Sequence, residues 1–150
     1  LYMHIIPFEI LTIQNDGFHI ILNVILLQKK FKMVLDTGAS KTVLDKQLLI
    51  DMGLTQEELI SSNILSTGLG TNEMESHTLY LESLMINDWT IKNIQVAVLD
   101  LSTINYAYQQ MNFPAVIGVL GGDILYKYGA VIDYKKKTLK LNSRKIKSQS

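Results

Sequence analysis

The chain has 150 residues, no cysteine, and 14 basic residues against 14 acidic ones. This length predicts one domain over residues 1–150, because two lobes with separate cores would need a longer chain. The zero net charge provides no general attraction to nucleic acid or to an acidic membrane, and the lack of cysteine excludes disulfides, thiol nucleophiles and cysteine-ligated metal.

The first part of the chain predicts a β-meander. Residues 4–12 and 18–27 are apolar runs, and Asn15-Asp16-Gly17 between them is a strong hairpin-turn signal. Residues 28–30 then turn the chain into a third strand that ends at Asp36. Three strands are therefore expected before the first turn of small residues.

The N-terminal segment 1–11 is apolar, but it does not fit a targeting or membrane segment. It has no basic start, contains Pro7 and Glu9, and is too short to span a bilayer. We therefore expect neither a signal peptide nor a transmembrane helix. The cytoplasm is slightly favoured as the compartment, and removal of a targeting segment ahead of Leu1 stays open.

Two helical segments are predicted after the third strand. The first is a short helix with Asp45 as its N-cap and Gly53 as its stop. The second is a further turn in which Thr55 and Glu58 form a capping box. Both are expected to lie outside any active site.

The middle of the chain predicts two strands and a helix. Residues 84–86 and 94–99 are apolar runs around a turn, beside which Trp89 is expected to pack in the core. Ser102 can cap a helix that continues through residue 110.

Tyr106 and Met111 of that helical segment are predicted in the core rather than in a cleft. Residues 116–120 then predict a strand, and residues 124–128 a short helix. A closing hairpin is expected over residues 130–141. Many short strands with few helices predict an all-β, closed and barrel-like fold.

The strongest chemical signal is the stretch Val34-Leu35-Asp36-Thr37-Gly38-Ala39-Ser40. Its apolar strand delivers the Asp36 carboxylate into a turn of small residues, where the carboxylate is exposed yet rigidly placed. Gly38 lets another backbone approach closely, and the Thr37 hydroxyl can form hydrogen bonds that lock the turn. A bare Asp-Thr-Gly triplet fits an ordinary Asx turn at a strand end equally well, so its context decides.

Other chemistries have little support in the sequence. His4, His19 and His77 show no metal-ligand spacing, so no metal site is expected. No Gly-x-Ser-x-Gly elbow or phosphate-binding loop occurs.

The basic stretch 135–147 is interpreted as a solvated turn followed by a polar tail over about residues 142–150. Arg144 is the only arginine in the chain, which leaves little capacity for bidentate phosphate contacts. We therefore expect neither nucleic acid nor a membrane as a partner.

The context of the Asp36 motif resembles the retropepsin-like aspartic proteases. The active-site motif of that family is apolar-apolar-Asp-Thr-Gly-Ala-Ser, which residues 34–40 match before Lys41-Thr42-Val43-Leu44. A second landmark follows further along the chain, and it stands here as Val119-Leu120-Gly121-Gly122-Asp123. Between the two the family places a β-hairpin flap, to which the Gly-rich segment 66–71 is similar. The resemblance covers residues 6–141.

The resemblance implies a retropepsin fold and an aspartic endopeptidase that acts on peptide or protein substrates without a metal or organic cofactor. It implies Asp36 as the catalytic carboxylate, surrounded by a supporting loop, a flap that binds substrate, and a strand beside the loop. The loop residues are Thr37, Gly38, Ala39 and Ser40, the flap residues are Thr67, Gly68, Leu69 and Gly70, and the residues of the adjacent strand are Leu120, Gly121, Gly122 and Asp123.

Aspartic proteases need two carboxylates that share one proton, whereas this chain has a single Asp-Thr-Gly. Neither Asp123 nor Asp133 is followed by Thr-Gly or Ser-Gly. The second carboxylate is therefore expected from another copy of the chain, across the two-fold axis of a homodimer. By the same resemblance, Thr37 would brace the two loops and Gly38 would meet substrate or water.

Two alternatives to catalysis stay open. A catalytically weak or inactive member of the same fold would bind peptides or protein partners without cutting them. An interaction domain with exposed β edges would recruit peptides by strand addition.

Overall fold

The computed structural model describes residues 3–13, 17–62 and 76–143, and within these ranges the chain is mostly β with a few short helices. The predicted all-β class is confirmed. None of the described helices is long and apolar enough to cross a membrane. The strands are β1 (Met3–Pro7), β2 (Glu9–Ile13), β3 (Gly17–Leu26), β4 (Lys29–Leu35), β5 (Val43–Asp45), β6 (Ile60–Ser62), β7 (Ser76–Ile86), β8 (Trp89–Leu99), β9 (Val116–Leu120), β10 (Val131–Asp133) and β11 (Thr138–Asn142). The helices are α1 (Lys46–Asp51), a 3-10 turn (Gln56–Glu58), α2 (Ser102–Gln110) and α3 (Gly122–Lys127).

The described strands form two sheets. The larger has the order β2-β3-β4-β9-β5-β8-β7-β6, and the smaller has the order β1-β11-β10. β3 also pairs with β7, with Val24 opposite Ile86 and Ile25 opposite Met85. Strand pairing therefore runs without a break from β3 through β4, β9, β5, β8 and β7 back to β3.

β9 lies between β4 and β5 in the larger sheet. It runs parallel to β4, with Val34 beside Val119 and Leu35 beside Leu120, and antiparallel to β5. All five residues of β9 are buried, as expected of a strand covered on both faces. This pairing places the ends of β4 and β9 side by side, where the Asp-Thr-Gly motif begins.

Side chains of the central strands point alternately into two hydrophobic clusters. On β4, Met33 and Leu35 belong to the larger cluster, whereas Val34 belongs to a smaller one that includes Tyr108 of α2. Trp89 lies in the larger cluster and packs edge-on against Tyr128, with ring centroids 4.8 Å apart. The predicted packing role of Trp89 is confirmed.

The N-terminal strand predicted over residues 4–12 is wrong, because the chain breaks at Phe8 and contributes to both sheets. β1 pairs with β11, while β2 pairs with β3. The Phe8 amide donates to the Lys137 carbonyl at 2.9 Å, and its buried ring packs edge-on against Tyr134. Burial of this aromatic ring turns the chain from one sheet to the other.

The turn between β3 and β4 is tighter than predicted. Leu26 pairs with Lys29, so the turn consists of Leu27 and Gln28, which have φ angles of 49° and 67°. Two consecutive left-handed residues are typical of a type I′ hairpin, whose twist matches that of the strands. The sequence did not reveal this turn because neither residue is Gly, Asn or Asp.

Of the two predicted helix caps, the one at Asp45 is confirmed and the one at Thr55 is not. The Asp45 side chain caps α1 as predicted by accepting from the Leu48 amide, and Gly53 follows the helix with a φ of 101°. The capping box at Thr55 is wrong, because the Thr55 hydroxyl donates to the Glu58 carboxylate at 3.3 Å instead of capping the backbone.

The beginning of α2 also differs from the prediction. The N-cap residue is Leu101 rather than Ser102, which is the first residue of the helix, and the Ser102 amide donates to the Asp100 carboxylate. Met111 packs against the smaller cluster, whereas Tyr106 is 64% exposed, so its predicted place in the core is wrong. The buried aromatic residue of this helix is Tyr108, which is 2% exposed.

Asp45 provides a test of how the helices are attached to the sheet. Its side chain is 2% exposed and accepts hydrogen bonds from the amides of Leu48 and Leu101, at the start of α1 and just ahead of α2. Replacement by Ala removes the acceptor of both amides, of which the Leu101 amide is buried and the Leu48 amide partly buried. We expect Asp45→Ala to lower the free energy of unfolding by about 3 kcal/mol.

Thermal and urea unfolding monitored by circular dichroism measure this loss. The control is Asp51→Ala, because Asp51 is exposed and accepts, among the described residues, from the Gln47 side chain alone. The control is expected to change stability by no more than about 0.5 kcal/mol. Equal losses in the two variants would contradict the bridging role of Asp45.

Candidate active site

The Asp36 carboxylate stands at the end of β4, directly after three buried residues of that strand. The Asp36 amide donates to the Leu120 carbonyl of β9 at 3.0 Å, so the last residues of two neighbouring strands hold its backbone. The residue itself is exposed. A carboxylate that is open to solvent on a fixed backbone can meet a ligand without moving the fold.

The turn after Asp36 is closed by backbone amides. The Gly38 amide donates to Oδ1 of Asp36 at 2.8 Å, and the Ala39 amide donates to the Asp36 carbonyl at 3.2 Å. These contacts fix one carboxylate oxygen of Asp36 within the Asp36 loop, which comprises residues 36–41. Thr37, Gly38 and Ser40 are exposed, whereas Ala39 packs against the smaller cluster.

The Thr37 hydroxyl does not form the predicted hydrogen bonds within the turn. It makes no hydrogen bond with another described residue, and the two backbone contacts hold the turn without it.

The structure brings the second predicted stretch, the β9–α3 corner (residues 120–123), against the Asp36 loop. The Gly122 amide donates to the Ala39 carbonyl at 2.7 Å. A Cβ added at Gly121 would lie 2.6 Å from the Lys41 carbonyl carbon and oxygen, and 2.8 Å from the Ala39 carbonyl oxygen. Glycine at position 121 is therefore required by space, since its φ of −106° is open to any residue.

Thr42 is a residue of this site that the sequence did not single out. Its side chain is completely buried, and its hydroxyl donates to Oδ1 of Asp123 at 2.8 Å while accepting from the Gly121 amide at 3.1 Å. The Thr42 amide donates to Oδ2 of Asp123 at 3.0 Å. The one available signal was a hydroxyl residue at the start of an apolar strand, because a buried hydroxyl must find partners.

The Asp123 carboxylate forms hydrogen bonds with protein groups at this junction. Its Oδ1 atom also accepts from the Ile124 amide at 2.8 Å, so the carboxylate receives three hydrogen bonds from protein groups. It lies in the first turn of α3, where a negative charge also interacts favourably with the helix dipole.

A hydrogen bond between the His19 ring and the Tyr108 hydroxyl joins α2 to β3, the strand that pairs with β4. Nδ1 of His19 lies 2.6 Å from the Tyr108 hydroxyl, and His19 precedes Ile20, which pairs with Leu35. Burial raises the pKa of Tyr108 to about 12, so this hydroxyl keeps its proton at neutral pH. The contact joins α2 to β3 close to the base of the Asp36 loop.

The predicted flap residues Thr67, Gly68, Leu69 and Gly70 lie outside the described residues. Two grooves of about 740 and 790 Å³ occur elsewhere and share Leu48 and Ala115 in their walls. Neither groove is lined by the Asp36 loop or by the β9–α3 corner, so neither is the candidate active site. Within the described ranges, no three or more His, Cys, Asp or Glu side chains are grouped as a metal site.

The two adjacent glycines of the corner provide a matched test of this junction. A methyl group at position 121 would overlap backbone atoms of the Asp36 loop, whereas one at position 122 would have only the Ala39 carbonyl oxygen nearby, at 3.4 Å. We expect Gly121→Ala to lower the free energy of unfolding by about 3 kcal/mol, because backbone atoms must shift. Gly122→Ala is expected to cost less than about 1 kcal/mol.

Urea unfolding of both variants measures the difference. Crystal structures of Gly121→Ala would locate the displacement in residues 39–41. Equal stability of the two variants would contradict the requirement for glycine at position 121.

Comparison with protein families gives one match that spans the site. A family model described as Aspartyl protease matches residues 22–124 of the chain. This range includes the Asp36 loop and the β9–α3 corner. The comparison with curated proteins gave no match.

Solved structures similar to the chain include three proteases or protease-like domains. A retropepsin-like aspartic protease from Rickettsia conorii is 24% identical, with a TM-score of 0.57, and the match covers 93% of this chain and 90% of that one. The retroviral protease-like domain of Ddi1 from Leishmania major is 16% identical, with a TM-score of 0.54 and coverages of 81% and 86%. The EIAV protease complexed with the inhibitor HBY-793 is 19% identical, with a TM-score of 0.52 and coverages of 77% and 91%. These likenesses show that the fold is retropepsin-like.

Proposed function

The chain belongs to the aspartyl protease family, and we propose that it is an aspartic endopeptidase that hydrolyses peptide bonds at a pair of Asp36 carboxylates, one from each chain of a homodimer. The observation that carries this proposal is the exposed Asp36 residue, whose backbone is held by Leu120 and Ala39 and whose carboxylate accepts from the Gly38 amide. Its substrates are peptides or proteins, and the reaction uses neither metal nor organic cofactor.

The chemistry needs two carboxylates that share one proton. Two carboxylates at close range do not readily ionise together, so one stays protonated while the other carries the charge. The charged carboxylate removes a proton from a water molecule as that water attacks the peptide carbonyl carbon. The protonated one donates to the carbonyl oxygen, which gives a tetrahedral intermediate with two hydroxyl groups. The carboxyl group that took the water proton then gives it to the leaving nitrogen as the C–N bond breaks, and a hydroxyl proton of the intermediate returns to the other carboxylate.

The second carboxylate is assigned to another copy because the neighbouring acids are committed to structural hydrogen bonds. Asp123 accepts from Thr42 and Ile124, and buried Asp45 accepts from Leu48 and Leu101. The single Asp-Thr-Gly of the chain therefore supplies half of the pair. A two-fold axis beside the loop would place the two Asp36 side chains together and would bring the exposed Thr37 residues close to the partner loop.

Asp36→Asn tests the catalytic assignment. The amide keeps the volume of the side chain and can still accept from the Gly38 amide through its oxygen, but it cannot share a proton as a carboxylate pair does. We expect peptide cleavage to fall by at least about 1,000-fold, with a melting temperature close to that of the wild type. Cleavage is measured with a fluorogenic peptide library, and stability by circular dichroism.

Asp51→Asn is the matched control, because it makes the same chemical change at an exposed carboxylate on α1. It should leave cleavage unchanged. Undiminished cleavage by Asp36→Asn would remove Asp36 from the mechanism. A peptide-binding module without activity would instead give a wild-type protein that binds library peptides and cleaves none of them.

Dependence of activity on protein concentration tests the homodimer. Below the dimer dissociation constant the fraction of complete sites falls by mass action, so the activity per mole of chain must fall on dilution. Adding an excess of inactive Asp36→Asn chains to wild-type chains should also reduce activity, because mixed dimers carry one carboxylate and one amide. Progress curves over a dilution series, with sedimentation velocity on the same samples, measure both effects.

Adding Asp51→Asn chains to wild-type chains controls for nonspecific inhibition, since these chains can form complete sites. Constant activity per mole in a sample that sediments as a monomer, together with resistance to the Asp36→Asn chains, would contradict the shared site. A second acid within the same chain would then be required.

A further inference from the structure

We propose that Thr42 and Asp123 are positioning residues for the Asp36 carboxylate. This inference rests on the proposed function and assigns to that site a pair of side chains that do not touch the reacting atoms. Their hydrogen bonds attach the C-terminal end of the Asp36 loop to the β9–α3 corner. The N-terminal end of the loop is attached to the same corner.

The two ends of the loop are tied to consecutive residues of one short segment. At the N-terminal end the Asp36 amide donates to the Leu120 carbonyl, and at the C-terminal end the Thr42 hydroxyl accepts from the Gly121 amide. The residues between these anchors are held at Ala39, whose carbonyl accepts from the Gly122 amide. Because both ends of the loop are held by hydrogen bonds, a displacement of Thr42 is expected to displace the loop residues between them.

The environment of Thr42 makes its hydroxyl difficult to replace. The residue has no solvent exposure, so neither water nor a distant side chain substitutes for its two hydroxyl contacts. Its carbonyl also accepts from the Ala97 amide at 3.1 Å, which fastens the residue to β8. Thr42 thus joins the Asp36 loop, β8 and the β9–α3 corner at one point.

Asp123 completes this arrangement from the other side. Its two oxygens accept from the Thr42 amide, the Thr42 hydroxyl and the Ile124 amide at distances of 2.8 to 3.0 Å. Because the acceptor is a carboxylate, these hydrogen bonds are of the stronger, charge-assisted class. One side chain, that of Asp123, therefore contacts both the first turn of α3 and the residue that follows the Asp36 loop.

Small displacements of a reacting group are costly in catalysis, and an error of about 1 Å can reduce the rate by about 100-fold. Thr42→Val removes the hydroxyl and keeps the shape of the side chain. We expect kcat to fall between about 10-fold and 100-fold with KM changed less than about 2-fold. Thr42→Ser, which restores the hydroxyl, is expected to return kcat to within about 3-fold of the wild type.

Thr138→Val is the matched control for the loss of a threonine hydroxyl. The Thr138 hydroxyl is buried and has no hydrogen-bond partner among the described residues, and it belongs to β11 of the other sheet. It should leave both kcat and KM unchanged. A uniform loss of activity in Thr42→Val and Thr138→Val would show a general packing effect and would overturn the positioning role.

A second pair of variants tests the carboxylate. Asp123→Asn introduces an amide NH₂ that faces donors. Asp133→Asn makes the same change at a partly buried carboxylate at the end of β10, where one oxygen accepts from the Lys136 amide. We expect kcat of Asp123→Asn to fall by about 10-fold or more and that of Asp133→Asn to stay at the wild-type value. All kinetics are recorded well below the melting temperature of each variant and at concentrations where sedimentation shows the same dimer fraction.

Amide hydrogen exchange distinguishes failure of this inference from failure of the proposed function. In Thr42→Val the amides of Asp36, Gly121 and Gly122 should exchange at least about 10-fold faster, while those of β3 should exchange as in the wild type. This result is expected even if the wild-type protein cleaves no peptide, in which case the proposed function fails and the anchoring of the loop stands. Unchanged exchange at these amides, or wild-type kcat in Thr42→Val, would overturn the inference, and if Thr42→Val does not fold, the same criteria apply to Asp123→Asn.

Discussion

The close approach of two backbones, the Asp36 loop and the β9–α3 corner, is the constraint on which the site depends. A hydrogen bond of 2.7 Å joins Gly122 to Ala39, and at Gly121 there is no room for a side chain. This proximity is possible because β9 runs parallel to β4 and ends beside it. The conformation of the loop is therefore determined by the strand order of the larger sheet rather than by the loop residues alone.

The same strands support the Asp36 loop within a single chain. β4 and β9 are covered on both faces, by the larger cluster on one side and by the smaller cluster around Tyr108 on the other. Since strands buried on both faces open only with large parts of the fold, the residues at their ends inherit that stability. Ala39 extends this protection into the loop by packing against the smaller cluster.

Much of the fold was predictable from local patterns. The apolar runs of β3 and β9, the Asp45 cap and the closing hairpin all follow from periodicity and turn chemistry, which depend on near neighbours in the sequence. The break at Phe8 was not predictable in this way, because it depends on the distant Lys137 carbonyl and Tyr134 ring. The type I′ turn at Leu27 and Gln28 is imposed by strand pairing against the preference of both residues.

The residues of the candidate site also divide into those predictable from local sequence and those that depend on distant contacts. The Asp36 motif and the glycines of the corner were recognisable as short sequences, and the resemblance to retropepsin-like proteases placed them together. Thr42 and its contact with Asp123 were missed, since a threonine at the start of an apolar strand has no distinctive local pattern. Its importance comes from complete burial, which only the packing of several segments produces.

Rigidity of the isolated loop bears on how a shared active site could assemble. In the proposed homodimer each chain contributes an Asp36 carboxylate that its own β4, β9 and Gly38 amide already orient. Association then has to align two preformed loops and does not have to order them, so less conformational entropy is lost on binding. The residues left exposed in the loop are those that a partner loop or a peptide can reach, namely Asp36, Thr37, Gly38, Ser40 and Lys41. A fold that buries the strands beneath the carboxylate and leaves the loop around it exposed is thus suited to the proposed contribution of half a site by each chain.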